Sequence, residues 1–314
     1  MKKHFAILLI LVLLVSCAAA EDVRIAALKG PTAMGMVQMM EEDAERYTFE
    51  ICASADEITP RLVQGEINIA ALPANLASVL YNRTEGALQV LAVNTLGVMY
   101  IAERGNSIQT VEDLRGKTIY SAGKGSTPEF ALNYILKMNS LVPGEDVTIE
   151  YKSEHSECLA ALMGNAEAAA MLPQPFITTA LSKAEDMRVA LDLTEEWEKL
   201  PSGNSGTMIT GVVVARTDFV QKNPEAVKAF MADYADSVAF VNGDNDGAAQ
   251  LVGKFDIVPA AVAQKALPEC NICFITGNEM KEMLSAYLQV LFDAAPNSVG
   301  GTLPDSAFYY GTEE

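Results

Sequence analysis

Histidine is almost missing from this chain: His4 and His155 are the only two in 314 residues. A histidine-based catalytic triad or a two-histidine metal centre has at most His155 to draw on once the N-terminus is set aside. Positive charge is scarce as well. Lys and Arg number 22 against 41 Asp and Glu, a net charge of −19. That balance excludes nucleic acid as a partner, and an anionic membrane surface as a docking face for the folded body. It leaves room for a small anion, because backbone amides and helix ends supply local positive potential. Beyond Val15 no stretch is apolar enough to span a bilayer, which takes about 20 residues. Cysteine is sparse too: after Cys17 come Cys52, Cys158, Cys270 and Cys273. Cys270-Asn271-Ile272-Cys273 is a single CxxC with no second CxxC and no histidine pair, so no zinc site is expected. A local disulfide and two free thiols both remain open. No metal, no cofactor and no catalytic residue is assigned.

What is present begins at the N-terminus. Lys2 and Lys3 precede an apolar run of 11 residues from Phe5 to Val15. The run is too short for a membrane span and has the layout of a signal peptide. Leu14-Val15-Ser16-Cys17 resembles a bacterial lipobox, which implies residues 1–16 as the leader and Cys17 as the lipidated first residue of the mature protein; an ordinary signal peptide cleaved near Ala18-Ala19-Ala20 is the alternative. Removing the leader leaves 298 residues (314 − 16), a length suited to about two domains. An extracytoplasmic body anchored to a membrane through Cys17 follows from this reading.

Behind Cys17 the chain alternates short β-like runs with helical patterns, the signature of an α/β fold with mainly parallel sheets. Strands are expected at Val23–Leu28, Phe49–Cys52, Ile67–Leu72 and Leu88–Val93, with an extended run at Val98–Ala102. A second unit follows with strands at Lys117–Ser121, Val147–Tyr151, Ala166–Leu172 and Arg188–Leu191. Thr207–Ala215 is a long β-rich run able to lead back to the first unit, and helices fill the rest. Ser54 and Glu57 have capping-box spacing for a helix that Gly65 stops. Asn223-Pro224 marks another helix start. Gly65-Glu66-Ile67-Asn68-Ile69-Ala70-Ala71-Leu72-Pro73 is echoed by Gly164-Asn165-Ala166-Glu167-Ala168-Ala169-Ala170-Met171-Leu172-Pro173. Each has a glycine stop, an alanine-rich strand and a terminal Leu-Pro, which favours two similar lobes.

In open α/β sheets ligands sit at the carboxyl ends of strands, where helices begin. That rule selects four turns. The first carries Thr32, Ala33 and Met34, and the second carries Asn75. The third, Gly123 to Thr127, carries Gly125, Ser126 and Thr127. The fourth carries Gln174 and Phe176. Thr207, at the return crossing, completes the candidate ligand-binding set. Helix N-termini there offer free N–H donors suited to an anionic or polar head group. Ser126 and Glu129 also match a capping box, so Ser126 has helix capping as its structural alternative. The methionines near these turns have core packing as theirs.

Several segments in order resemble one family. They are Val111-Glu112-Asp113-Leu114-Arg115-Gly116-Lys117-Thr118-Ile119, then the Gly123–Thr127 turn, then Ala160-Ala161-Leu162-Met163-Gly164-Asn165-Ala166-Glu167-Ala168, Pro175, and Asn223-Pro224-Glu225-Ala226-Val227. Together the chain resembles the solute-binding proteins of ABC importers, nearest the branch for sulfonates, nitrate, taurine or thiamine-precursor pyrimidines. Glu167 stands where that family often has Asp. The resemblance implies a two-lobed type II periplasmic-binding-protein-like fold with two crossovers, near Val98–Glu103 and Thr207–Val213. Lobe 1 would span 17–102 and 208–314, and lobe 2 would span 103–207. It further implies a monomer that performs no chemistry, captures a small ligand and passes it to an ABC permease with its ATPase. A sensory lipoprotein of the same fold, or an enzyme of the menaquinone or pyrimidine pathways, are the alternatives.

Overall fold

The structure, a computed structural model, describes residues 23–200 and 207–312. The chain opens with β1 (Val23–Leu28), a short helical turn α1 (Pro31–Met34), α2 (Val37–Glu42) and β2 (Tyr47–Cys52). Helix α3 (Ala55–Gln64) starts at the expected capping box between Ser54 and Glu57 and stops at Gly65, which takes the left-handed conformation at φ 84°. Then come β3 (Ile69–Pro73), α4 (Ala74–Arg83), β4 (Leu88–Leu96) and β5 (Met99–Arg104). The middle of the chain contributes β6 (Thr118–Ser121), α5 (Thr127–Met138), β7 (Thr148–Tyr151), α6 (His155–Gly164), β8 (Ala169–Pro173), α7 (Phe176–Leu181), β9 (Met187–Asp192) and α8 (Leu193–Glu198). The last part runs through β10 (Ile209–Arg216), α9 (Thr217–Lys222), α10 (Pro224–Gly243), α11 (Asn245–Lys254), α12 (Ala260–Ala266), β11 (Ile272–Ile275) and α13 (Gly277–Ala294).

These elements form two sheets, one per lobe. The first has strand order β11-β4-β10-β3-β1-β2 and the second β7-β6-β8-β5-β9. Both are mixed. In the first, β1 pairs in parallel with β2 and β3, while β10 runs antiparallel between β3 and β4. In the second, β6 pairs in parallel with β7 and β8, while β5 runs antiparallel between β8 and β9. Strands β1 to β4 therefore point one way, as do β6 to β9; one reversed strand is threaded inside each set, β10 and β5, and β11 is a second reversed strand at the edge of the first sheet. The sequence echo maps onto this symmetry: β3 and β8 are its two copies, each flanked by a parallel neighbour and a reversed strand.

The two β-rich runs read as crossovers are these reversed strands. Met99 pairs with Pro173 and Gly211 with Pro73, so each enters its sheet at the carboxyl ends of the forward strands. Only Gly97 and Val98 separate β4 from β5. Gly97 is packed so closely that a Cβ there would fall 2.0 Å from Thr194 Oγ1. One apolar cluster is continuous from the first sheet (Leu72, Val93) through the second lobe (Ile101, Ile119, Trp197) to α13 (Leu284, Tyr287, Leu288). A second cluster lies on the other face of the first sheet, under α2 and α10. Among the described residues no helix is long and apolar enough to cross a membrane.

Candidate functional site

The carboxyl ends of β3 and β6 face each other across the two lobes. Pro73 closes β3 and opens α4, so Asn75 lies in the first turn of that helix. Thr127 is the first residue of α5. Both side chains are fully buried, and Thr127 Oγ1 donates to Asn75 Oδ1 at 3.0 Å. Asn75 Nδ2 donates in turn to the Ser298 carbonyl at 2.9 Å. These two sequence-nominated residues are the pair that the fold joins directly. Neither helix has a side-chain cap, and α5 carries Glu129 in its first turn.

The rest of the Gly123–Thr127 turn is occupied by its own contacts. Gly125, held at φ 78°, donates its amide to the Glu129 carboxylate. Ser126 Oγ donates to the Gly123 carbonyl at 2.7 Å, and so does the Ser126 amide at 3.1 Å. The capping box that Ser126 and Glu129 would make is therefore absent, because the carboxylate turns to Gly125 instead. Burial, and then the nearby Glu129 carboxylate, raises the Tyr151 phenol's pKa well above its usual value.

On the first lobe, Thr32 Oγ1 donates to the Leu28 carbonyl at 2.8 Å, tying α1 to the end of β1. The Ala33 amide bonds to the Gly30 carbonyl at 3.0 Å. Met34 is wholly buried, with its sulfur 3.9 Å from Cys270 Sγ, so it packs the core. Thr32 meets Asn94 and Thr95 of β4 over Gly211 of β10. A Cβ on Gly211 would fall 2.6 Å from Asn94 Oδ1 and 2.9 Å from Thr32 Cγ2. The Asn94 Nδ2 and Tyr234 hydroxyl groups lie side by side, buried, and among the described residues neither has a hydrogen-bond partner at bonding distance. The sequence held no signal for Asn94, which reads as one more residue of an apolar strand.

On the second lobe, the Gln174 amide bonds to the Val98 carbonyl at 3.0 Å, and its side-chain oxygen accepts from Thr178 Oγ1 at 2.8 Å. The peptide between Gln174 and Pro175 is cis. Tyr100 lies against Gln174; burial, then the nearby Asp192 and Glu269 carboxylates, push its pKa up to about 12. Phe176 packs on the His155 ring, with centroids 5.2 Å apart. His155 shows some edge to solvent, but Nδ1 is sealed and unpartnered, and burial pushes its pKa down to about 4. Thr207 is half-buried ahead of β10.

The lone CxxC is resolved by its surroundings. Cys270 Sγ turns to Met34, while Cys273 Sγ meets the Val93 carbonyl at 3.6 Å, and both are free thiols. Burial, then a nearby glutamate, pushes each thiol up to about 12, so neither is a ready nucleophile. Among the described residues no three His, Cys, Asp or Glu side chains gather as a metal set. Cys17 lies outside the described residues.

Residues 36–263 match the family described as ABC transporter, phosphonate, periplasmic substrate-binding protein. No curated protein sequence matches the chain. Among solved structures, an ABC transporter from Parabacteroides distasonis superposes with a TM-score of 0.76 at 21% identity, over 92% of this chain and 98% of that one. The periplasmic aliphatic sulphonate-binding protein SsuA of Escherichia coli gives 0.74 at 18% identity, over 92% of each chain. The periplasmic nitrate-binding protein NrtA of Synechocystis gives 0.60 at 14% identity, over 77% of this chain and 68% of that one. These likenesses agree with the two-lobed periplasmic-binding-protein fold. The two lobes and the long family match together place this chain among the periplasmic substrate-binding proteins of ABC transporters.

Proposed function

We propose that this protein is the lipid-anchored receptor of an ABC importer, held to the outer side of a membrane through Cys17. It binds a small organic ligand with an anionic or polar head between its lobes, and hands it to the permease as a monomer without chemical turnover. The observation that carries this reading is the meeting of Asn75 and Thr127, each at a helix start, across the lobe interface. Thr32, Ala33, Met34, Gly125, Ser126, Gln174, Phe176 and Thr207 form the surrounding candidate set. Of these, Thr32 and Gln174 keep polar side chains at the carboxyl edges of the two sheets.

The test is calorimetric titration of the mature chain with ethanesulfonate, methylphosphonate, nitrate and taurine, alongside native mass spectrometry of protein isolated from its own cells. Saturable one-to-one binding of one probe, or a co-isolated small acid, is the expected result. A protein that binds none of the four and carries no small molecule would overturn the reading. For the anchor, Cys17→Ala should move the protein from the membrane fraction to the soluble fraction.

A further inference from the structure

Tyr287 lies on α13, outside every motif that the sequence offered. Its side chain is fully buried. Its ring packs on Trp197, with centroids 5.4 Å apart. Its hydroxyl nevertheless has no hydrogen-bond partner at bonding distance among the described residues. Buried hydroxyl groups are nearly always satisfied, so one that is not needs an explanation. The polar group beside it is Thr127, at the start of α5. Thr127 spends its own proton on Asn75, across the lobes and at the start of α4. The Tyr287 hydroxyl is thus placed where two uncapped helix N-termini meet.

We propose that Tyr287 is a ligand-binding residue, its hydroxyl donating to an oxygen of a small oxyacid anion seated between Asn75 and Thr127. This assignment rests on the reading that the cleft between the lobes takes a ligand. When the anion enters, the lobes part enough for the Thr127 hydroxyl to turn from Asn75 Oδ1 to the anion's oxygen and for water to take its place on Asn75 Oδ1, while Asn75 Nδ2 keeps its bond to the Ser298 carbonyl. Two helix N-termini add partial positive charge at the same point. The Tyr287 and Thr127 hydroxyls are neutral donors, and burial keeps the phenol protonated throughout the range in which proteins fold. The shared chemistry is a terminal oxygen carrying full or partial negative charge, as in a carboxylate, sulfonate or phosphonate. α13 belongs to the segment that follows the return crossing, so the ligand would be gripped by three separate parts of the chain rather than by the two facing turns alone.

The test compares wild type with Tyr287→Phe, which keeps the ring against Trp197 and removes one oxygen. Both are titrated with ethanesulfonate, methylphosphonate, nitrate and acetate, and both are melted without ligand. The expected result is roughly tenfold or greater weakening for whichever probe wild type binds, since the acceptor is charged. The unliganded melting temperature should stay equal or rise, because an unsatisfied hydroxyl is gone. Equal affinity in the two proteins overturns the assignment. So does a lowered melting temperature with unchanged affinity, which would make Tyr287 a structural partner of Thr127. If wild type binds none of the probes and native mass spectrometry finds no co-isolated small molecule, the receptor reading itself fails and this assignment falls with it.

Discussion

Replacing Thr127 by valine removes one hydroxyl with little change of shape. Among the described residues Asn75 Oδ1 has one partner, the Thr127 hydroxyl at 3.0 Å, and both residues are fully buried. Taking that partner away leaves a buried amide oxygen unsatisfied, at a cost of about 1–3 kcal/mol. The cost falls only on the closed arrangement, because separating the lobes lets water reach Asn75. The ratio of closed to open molecules should therefore drop by roughly 5- to 150-fold, taking about 1.4 kcal/mol per factor of ten. Small-angle scattering of the ligand-free protein reads this as a larger radius of gyration for Thr127→Val than for wild type. The melting temperature should change little, since the open form escapes the penalty. In an Asn75→Ala background the same substitution should be nearly silent, because the acceptor is already gone. Identical scattering for wild type and Thr127→Val, or an undiminished effect in the Asn75→Ala background, would refute the interlobe bond as a determinant of closure.

Two further changes probe the lobes separately. Gly211→Ala should destabilise the first lobe by about 1–3 kcal/mol, read by denaturant melts, because its Cβ would fall 2.6 Å from Asn94 Oδ1 and 2.9 Å from Thr32 Cγ2. His155 makes stability depend on pH: its folded pKa is pushed from 6.5 to about 4 by burial, so the unfolded chain takes up the proton first as pH falls. Stability is complete above about pH 6.5 and is lost between that value and about 4, by at most about 1.4 kcal/mol per pH unit. His155→Gln should flatten that part of the profile, and a profile unchanged by the substitution would show that the ring is already solvated.

Much of the fold was legible because periodicity and punctuation agreed with it. Val23–Leu28 forms a strand with the expected bounds, and Ser54, Glu57 and Gly65 start and stop α3 as their chemistry requires. The alanine-rich echo marked β3 and β8 as equivalents before their neighbours were known. What could not be read was pairing. Val98–Ala102 and Thr207–Ala215 look alike whether they bridge lobes in solvent or fill gaps in two sheets, because a β-branched run carries no address for its partner. At the site, Asn75 and Thr127 were accessible to the rule that ligands gather at strand ends. Met34 and Ser126 satisfied the same rule, yet one is turned into the core and the other bonds within its own turn. Tyr287 sits on an amphipathic helix, where an aromatic residue has every reason to be core, and only its stranded hydroxyl sets it apart.

The reversed strand inside each sheet also sets an order of assembly. The second sheet is drawn from one uninterrupted stretch, Met99 to Asp192, and has all its strands as soon as that stretch exists. The first sheet does not. β1, β2 and β3 can pair as they emerge, but β4 has no neighbours except β10 and β11. Throughout synthesis of the second lobe, Leu88–Leu96 is therefore an apolar strand with both edges open. The lobe made second can be finished first, and β10, arriving last of the three central strands, is the piece that closes the older half of the molecule.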